Sequence, residues 1–108
     1  MKAALFIASI FFAGNLFSQV EAIEFNASFN KANGVDWLEK LTDCSISTVD
    51  IMESPDLQKK HKIVVVPTIL ILDDGEEIAR FQANIMMTME ATKKDVQRAI
   101  DELLMSDF

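Results

Sequence analysis

The 108 residues carry ten Lys plus Arg against seventeen Asp plus Glu, a formal charge of −7. One compact domain fits that length and a second does not, and an acidic chain without a basic stripe has nothing to neutralise a phosphate backbone, which argues against nucleic-acid binding. One cysteine, Cys44, and one histidine, His61, exclude an intrachain disulfide framework, a dithiol redox centre and a clustered Cys or His metal site within these residues, so no cofactor is expected.

Met1 and Lys2 form a short positive region, residues 3–14 an apolar stretch, and Ser18 a small residue before Gln19. That order is the one found in secretory signal peptides. The apolar block falls short of the roughly 20 residues that span a bilayer. The expectation is a signal peptide over residues 1–18 and one domain over residues 19–108. It carries with it a periplasmic or secreted location and no stable membrane insertion after cleavage. The competing reading makes residues 2–12 a buried strand or helix of the domain.

Ile23, Phe25, Ala27 and Phe29 alternate with Glu24, Asn26 and Ser28, which predicts a strand. The glycosylation sequon Asn26-Ala27-Ser28 falls inside it, where a glycan does not fit. Asp36 and Glu39 predict a helix start, the Asp oxygen accepting from free amides while the Glu reaches back. Trp37, Leu38 and Leu41 give that helix a short apolar face. Residues 46–51 predict a second strand. Ser54-Pro55 opens the next helix, because proline at the first helical position forfeits no hydrogen bond, and it ends near His61. Residues 63–72 are nearly all apolar and rich in β-branched side chains, interrupted at Pro67 and Thr68, and predict a strand covered on both faces. Asp73-Asp74-Gly75 is a hairpin turn, with residues 76–81 as the antiparallel return. Thr92 and Asp95 cap a last helix whose Val96, Ala99, Ile100, Leu103 and Leu104 share one face. The order β-α-β-α-β-β-α predicts an α/β fold. Its right-handed crossover gives a parallel pair and its hairpin an antiparallel one, in a four-stranded mixed sheet flanked by helices.

Over roughly residues 20–104 the chain resembles the thioredoxin family, in its core form without the extra N-terminal strand and helix. Val66-Pro67-Thr68, the apolar strand after it and Asp74-Gly75 resemble the family's cis-proline loop, strand and hairpin. Val49-Asp50-Ile51 and Ser54-Pro55 precede that proline much as the family's Asp-containing strand and following helix do. Glu24-Phe25-Asn26-Ala27-Ser28-Phe29 is similar to the strand that ends in an aromatic before the family's Cys-x-x-Cys motif. At the motif itself this chain reads Asn30-Lys31-Ala32-Asn33. In the family the first cysteine is a nucleophile at a helix N-terminus and the second resolves the mixed disulfide. An amide neither ionises to a thiolate nor joins a disulfide, so the resemblance implies a redox-inactive member. Three departures accompany this one. The helix after Asn33 is short, Ala83 stands where the family has a glycine after the last strand, and residues 84–91 are longer than usual.

The resemblance implies a cis Val66–Pro67 bond. It also implies a peptide-contacting face made of Phe29, Asn30, Lys31, Asn33, Val66 and Pro67, with Ala83 and Asn84 at its margin. There the backbone N–H and C=O of the residue before the proline are free for an extended partner. The expected function is a non-catalytic binding or assembly module with a protein or peptide partner, and not an enzyme. The alternative is an enzyme or redox sensor using the lone thiol of Cys44, for which no nucleophile–base pair is evident. The plainer reading of Cys44 is a small buried hydrophobe. Glu24 stands where family members often carry a buried acid that assists thiol chemistry, and burial raises a carboxyl pKa. With no thiol beside it, a structural or solvated role is expected. His61, with Lys59, Lys60 and Lys62, reads as a cationic partner for a helix C-terminus. Met86, Met87 and Met89, with the last helix, form the rival interface.

Overall fold

In a computed structural model, which describes residues 19–106, four strands form one sheet in the order β2-β1-β3-β4. β1 spans Val20–Asn26, β2 Ser45–Asp50, β3 Thr68–Asp73 and β4 Glu76–Gln82. β1 lies parallel to β2 and antiparallel to β3, and β3 is antiparallel to β4. The mixed α/β sheet expected from the sequence is the one observed. The signal peptide expected over residues 1–18 lies outside the described residues.

Every side chain of β3 from Thr68 to Leu72 is buried. Alternate side chains of a strand leave opposite faces, so this run requires a covering layer on each side. On one face Ile69 and Ile71, with Val20 and Ala22 of β1, pack against Val96 and Ile100 of the helix Lys93–Ser106. On the other, Leu70 and Leu72, with Ile23 and Phe25, pack against Ile63, Val66 and Leu57. Leu57 belongs to the six-residue helix Pro55–Lys60. The shorter helix is α1 and the longer one α2.

Local chemistry fixes several boundaries. Asp74 and Gly75 both take positive φ, 54° and 86°, the geometry of a two-residue hairpin turn whose twist matches its strands. α2 begins with a reciprocal cap: the Asp95 N–H donates to Thr92 Oγ1 at 3.3 Å, and the Thr92 N–H donates to Asp95 Oδ2 at 2.8 Å. α1 carries proline in its first turn, and Ser54 makes no side-chain cap.

Four expectations are corrected. β1 stops at Asn26, and the period-2 pattern that continues through Phe29 lies in a 3-10 segment, Ser28–Asn33. The Asn30 N–H donates to the Ala27 carbonyl at 2.9 Å, which bends the chain off the sheet. Asp36 does not cap a helix. A three-residue 3-10 turn, Leu38–Lys40, stands there with Trp37 before it and no side-chain cap. The strand expected over residues 63–72 begins only at Thr68, because residues 63–67 form an irregular connection ending in a cis Val66–Pro67 peptide. The side chain that bonds the end of α1 is not His61. Its ring lies tilted on Phe25 with centroids 5.5 Å apart, and burial, followed by the nearby Lys60 charge, pushes its pKa down. Arg80 takes that place: its Nη2 donates to the His61 carbonyl at 2.6 Å and its Nη1 to the Lys62 carbonyl at 3.2 Å.

Position in the sheet separates two isoleucines of similar strand context. Ile69 is fully buried, whereas Ile78 is 44% exposed at the bulge where Ile71 pairs with Ala79 and Leu72 with Glu77. Ile69→Ala is expected to cost about 2–5 kcal/mol and Ile78→Ala no more than about 1 kcal/mol. Urea midpoints of the two variants check this, and equal losses would contradict the assignment of faces.

Candidate functional site

The residues singled out around the cis-proline are brought together by one side-chain amide. Asn30 is 4% exposed. Its Nδ2 donates to the Val66 carbonyl at 3.3 Å, the Met87 carbonyl at 3.1 Å and Asn26 Oδ1 at 3.2 Å. Two N–H protons are thus shared among three acceptors. Its Oδ1 accepts from Asn33 Nδ2 at 2.9 Å, and its backbone carbonyl accepts from Asn26 Nδ2 at 3.2 Å. Asn30 and Asn33, at the two positions where the resembling family carries cysteines, are therefore hydrogen-bonded to each other.

One of the two lone pairs of the Val66 carbonyl is engaged. The carbonyl already accepts from Asn30, which corrects the expectation that both backbone groups before the proline await an extended partner. On the far side of the proline, the Pro67 carbonyl accepts from the Ala83 N–H at 3.0 Å. Residues 84–88 then fold into a tight loop around Asn84. Its Oδ1 accepts from the Met86 N–H at 2.9 Å, the Thr88 N–H at 3.2 Å and the Thr88 hydroxyl at 3.0 Å. Met87 adopts φ 59°, and its carbonyl receives the Asn30 amide. Phe29 and Lys31 lie exposed on the flank, and Val66 and Pro67 are buried. The segment carrying Met86 and Met87, expected as a rival interface, is joined to the cis-proline region by this single bond. A backbone carbonyl leaves no mark in a sequence, so nothing in the pattern of residues names Met87 as Asn30's partner.

Glu24 sits on the same side of the sheet as α2 and is 6% exposed. Burial pushes its carboxyl pKa up, and the Val35 N–H, donating to Oε2 at 3.0 Å, partly offsets this. Gly34 lies close by: a Cβ there would stand 3.4 Å from Glu24 Oε2 and 3.3 Å from Asn26 Nδ2. Two clefts meet at Glu24. One of about 410 Å³ includes Ser28, Lys31, Thr48 and Asp50, and one of about 400 Å³ includes Asp36, Glu39, Ile46 and Thr48. The Asp50 carboxylate accepts from the Ser28 hydroxyl and, at 2.8 Å, from the Met52 N–H. The Ser28 bond, first among these, holds its pKa below the ordinary value.

Cys44 is half-buried against the α2-side core. Burial, and then the Asp43 charge, raise its thiol pKa, the opposite of what activates a nucleophile. It precedes Ser45, which pairs with Glu21, while Asn30 follows Asn26, which pairs with Asp50. The thiol therefore stands a strand length, roughly 17 Å, from the cis-proline end of the sheet. Among the described residues no group of three His, Cys, Asp or Glu side chains is placed to hold a metal.

The chain, with its parallel β1–β2 pair, antiparallel β1–β3–β4 set and cis-proline before β3, is similar in overall fold to several solved structures. A point-mutant thioredoxin from Halobacterium salinarum superposes with a TM-score of 0.62 at 19% identity, covering 79% of this chain and 74% of that one. Thioredoxin 1 of Thermosipho africanus gives 0.60 at 26% identity, over 81% and 97%. A malaria-parasite thioredoxin-2 gives 0.61 at 20% identity, over 78% and 82%. The chain has the thioredoxin fold. No protein-family model and no curated protein matches it in sequence. Asn30 occupies the turn that follows β1, and the crossover from β1 to β2 is made through two 3-10 segments.

Asn30→Ala strips a donor from two backbone carbonyls and is expected to cost about 1–3 kcal/mol, with faster hydrogen exchange at the Met87 amide. Asn33→Ala, at an exposed position, removes only the donor to Asn30 Oδ1 and is expected to cost less and to leave exchange at the Met87 amide unchanged; equal effects of both variants on both readouts would remove Asn30 from its central place. Glu24 makes stability depend on pH. A carboxyl whose folded pKa lies above its unfolded one binds more protons when folded, so its contribution is full below the unfolded pKa and is lost as pH rises through the folded one. Glu24→Gln is therefore expected to gain stability relative to the parent as pH climbs above the ordinary glutamate value of 4.5. Parallel urea-midpoint curves for the two proteins across that range would contradict the burial of the charge.

Proposed function

We propose that this is a redox-inactive thioredoxin-fold domain that binds a protein partner, exported by the signal sequence over residues 1–18. The chemistry of thiol exchange has no counterpart at Asn30 and Asn33, whose amides are committed to one another and to backbone carbonyls. Cys44 supports no substitute, being a single thiol with a raised pKa. The carrying observation is a concentration of exposed apolar side chains beside the Asn30 amide. Phe29 is 69% exposed, Ile85 98%, Met86 72% and Met87 40%, in two segments that the Asn30–Met87 bond holds together. Large apolar side chains left in water on rigidly hydrogen-bonded loops are the features of a contact surface, and flexible thioethers adapt to a partner's shape. One fold neighbour is a component of malaria-parasite protein secretion machinery, so a thioredoxin fold in an assembly role has a precedent.

This reading makes Phe29 and Met86 parts of one surface. With the exported domain as bait on its own cell-envelope fraction, Phe29→Asp and Met86→Asp are each expected to weaken capture of a stoichiometric partner about tenfold or more, the loss typical of an interface-centre residue. Met105→Asp, at an equally exposed site on α2, and Cys44→Ser are expected to leave it unchanged. Capture that survives both aspartates and is lost in Cys44→Ser would replace this proposal with a thiol-based one.

A further inference from the structure

The two edges of the sheet are protected unequally. β4 carries a bulge at Ile78 and the charged Glu76, Glu77 and Arg80, devices that keep foreign strands from pairing. β2, Ser45–Asp50, has six residues in unbroken register with β1, with neither proline nor lysine nor bulge. An edge strand turns unpaired backbone N–H and C=O groups outward, and among the described residues no strand pairs with β2 on that side.

The surface beside this edge is acidic. Ile46, Thr48 and Asp50 pair in register with Ala22, Glu24 and Asn26, and so share the face on which the two clefts lie. Four carboxylates line those clefts, Glu24, Asp36, Glu39 and Asp50, against one cation, Lys31. Glu24 is 6% exposed. Its Oε2 accepts from Val35 at 3.0 Å, and both clefts reach the side chain. A carboxyl group so largely buried has lost part of its hydration, and a cationic donor brought through the clefts offsets part of that cost.

We infer that the β2 edge takes an extended basic peptide segment as a fifth strand. A Lys or Arg of that segment enters the cleft between the Leu38–Lys40 turn and β2 to meet Glu24, with Asp36 and Glu39 at the mouth. Main-chain pairing supplies affinity in such strand addition, and pockets for alternate side chains supply selectivity. Charge decides the occupant. A second copy of this chain brings another −7 and the same acids to the edge, whereas a basic segment is complementary. The site is separate from the apolar surface at Phe29 and Met86, and either can fail without the other.

The probe is a short fluorescent peptide alternating lysine with valine or threonine, titrated against the domain by anisotropy. Two companions accompany it, one with glutamate in place of lysine and one with alternate backbone amides N-methylated. The expected result is binding of the lysine peptide alone. Its affinity falls about fivefold or more in Asp36→Lys and in Glu39→Lys, both exposed positions that leave the core untouched. Amide chemical-shift changes concentrate on β2. Equal binding of the N-methylated peptide would reduce the effect to bulk charge attraction and overturn strand addition. Shifts centred on Phe29 and Met86 would move the contact to the other surface. A failure of the lysine peptide to bind, or a concentration-dependent dimer broken by Ser47→Pro, would remove the basic segment as the occupant.

Discussion

The burial of β3 on both faces governs this structure. Thr68 to Leu72 leave no side chain in water, so the sheet needs two layers, and the described chain has only α1, α2 and short irregular segments to supply them. α2 is long enough to cover the Ile69 and Ile71 face with Val96 and Ile100. The opposite face is closed by the single Leu57 of α1 together with Ile63 and Val66 from the connection that follows. Where α2 does not reach, beside β2, the layer consists of a three-residue turn contributing Leu38. The clefts that meet at Glu24 are the consequence of covering that corner with a turn instead of a full helix, and Glu24 is desolvated without being sealed.

A second constraint follows from burying an amide after β1. A thiol is a weak donor and makes no demand on its neighbours' carbonyls. An amide brings two N–H protons and an acceptor oxygen, all of which need partners once it is buried. Asn30 finds them in Asn26, Asn33, Val66 and Met87. The loop over residues 84–88 is what brings the Met87 carbonyl within reach, held in shape by three donors to Asn84 Oδ1. The longer loop and the asparagine thus serve one arrangement. Asn30 thereby ties two surface segments together.

Legibility in the sequence tracks the distance between interacting groups. The α2 cap is readable because Thr92 and Asp95 complete it within one turn, and the Asp74-Gly75 turn because both residues tolerate positive φ. Asp36 and Glu39 have the same spacing as Thr92 and Asp95 yet form no cap. There the chain is drawn in by the Val35–Glu24 bond and the burial of Leu38, which a local pattern does not contain. The end of β1 is hidden for the same reason, since Ala27 and Phe29 keep the strand period while the Asn30 N–H closes a turn on Ala27. Arg80 capping the end of α1 and Met87 receiving Asn30 join residues far apart in sequence. Resemblance to a motif points to the site residues Asn30, Val66 and Pro67. Their hydrogen bonds, and the engaged lone pair of the Val66 carbonyl, depend on groups that no motif contains.

The Ser28–Asn33 segment is where these constraints meet. Its first residue is held to β2 through the Ser28 hydroxyl on Asp50, and its third to the loop after β4 through Asn30 and Met87. Between them Phe29 has no place in either core and remains in water. For such a segment, folding back to bury Phe29 breaks a hydrogen bond at each end, and breaking the inner one leaves two backbone carbonyls without their Asn30 donor at a cost of about 1–3 kcal/mol. Covering Phe29 recovers at most about 1.5–3 kcal/mol. The two quantities are of similar size, so the polar network beneath the ring offsets what burying it would gain, and Phe29 stays at the surface.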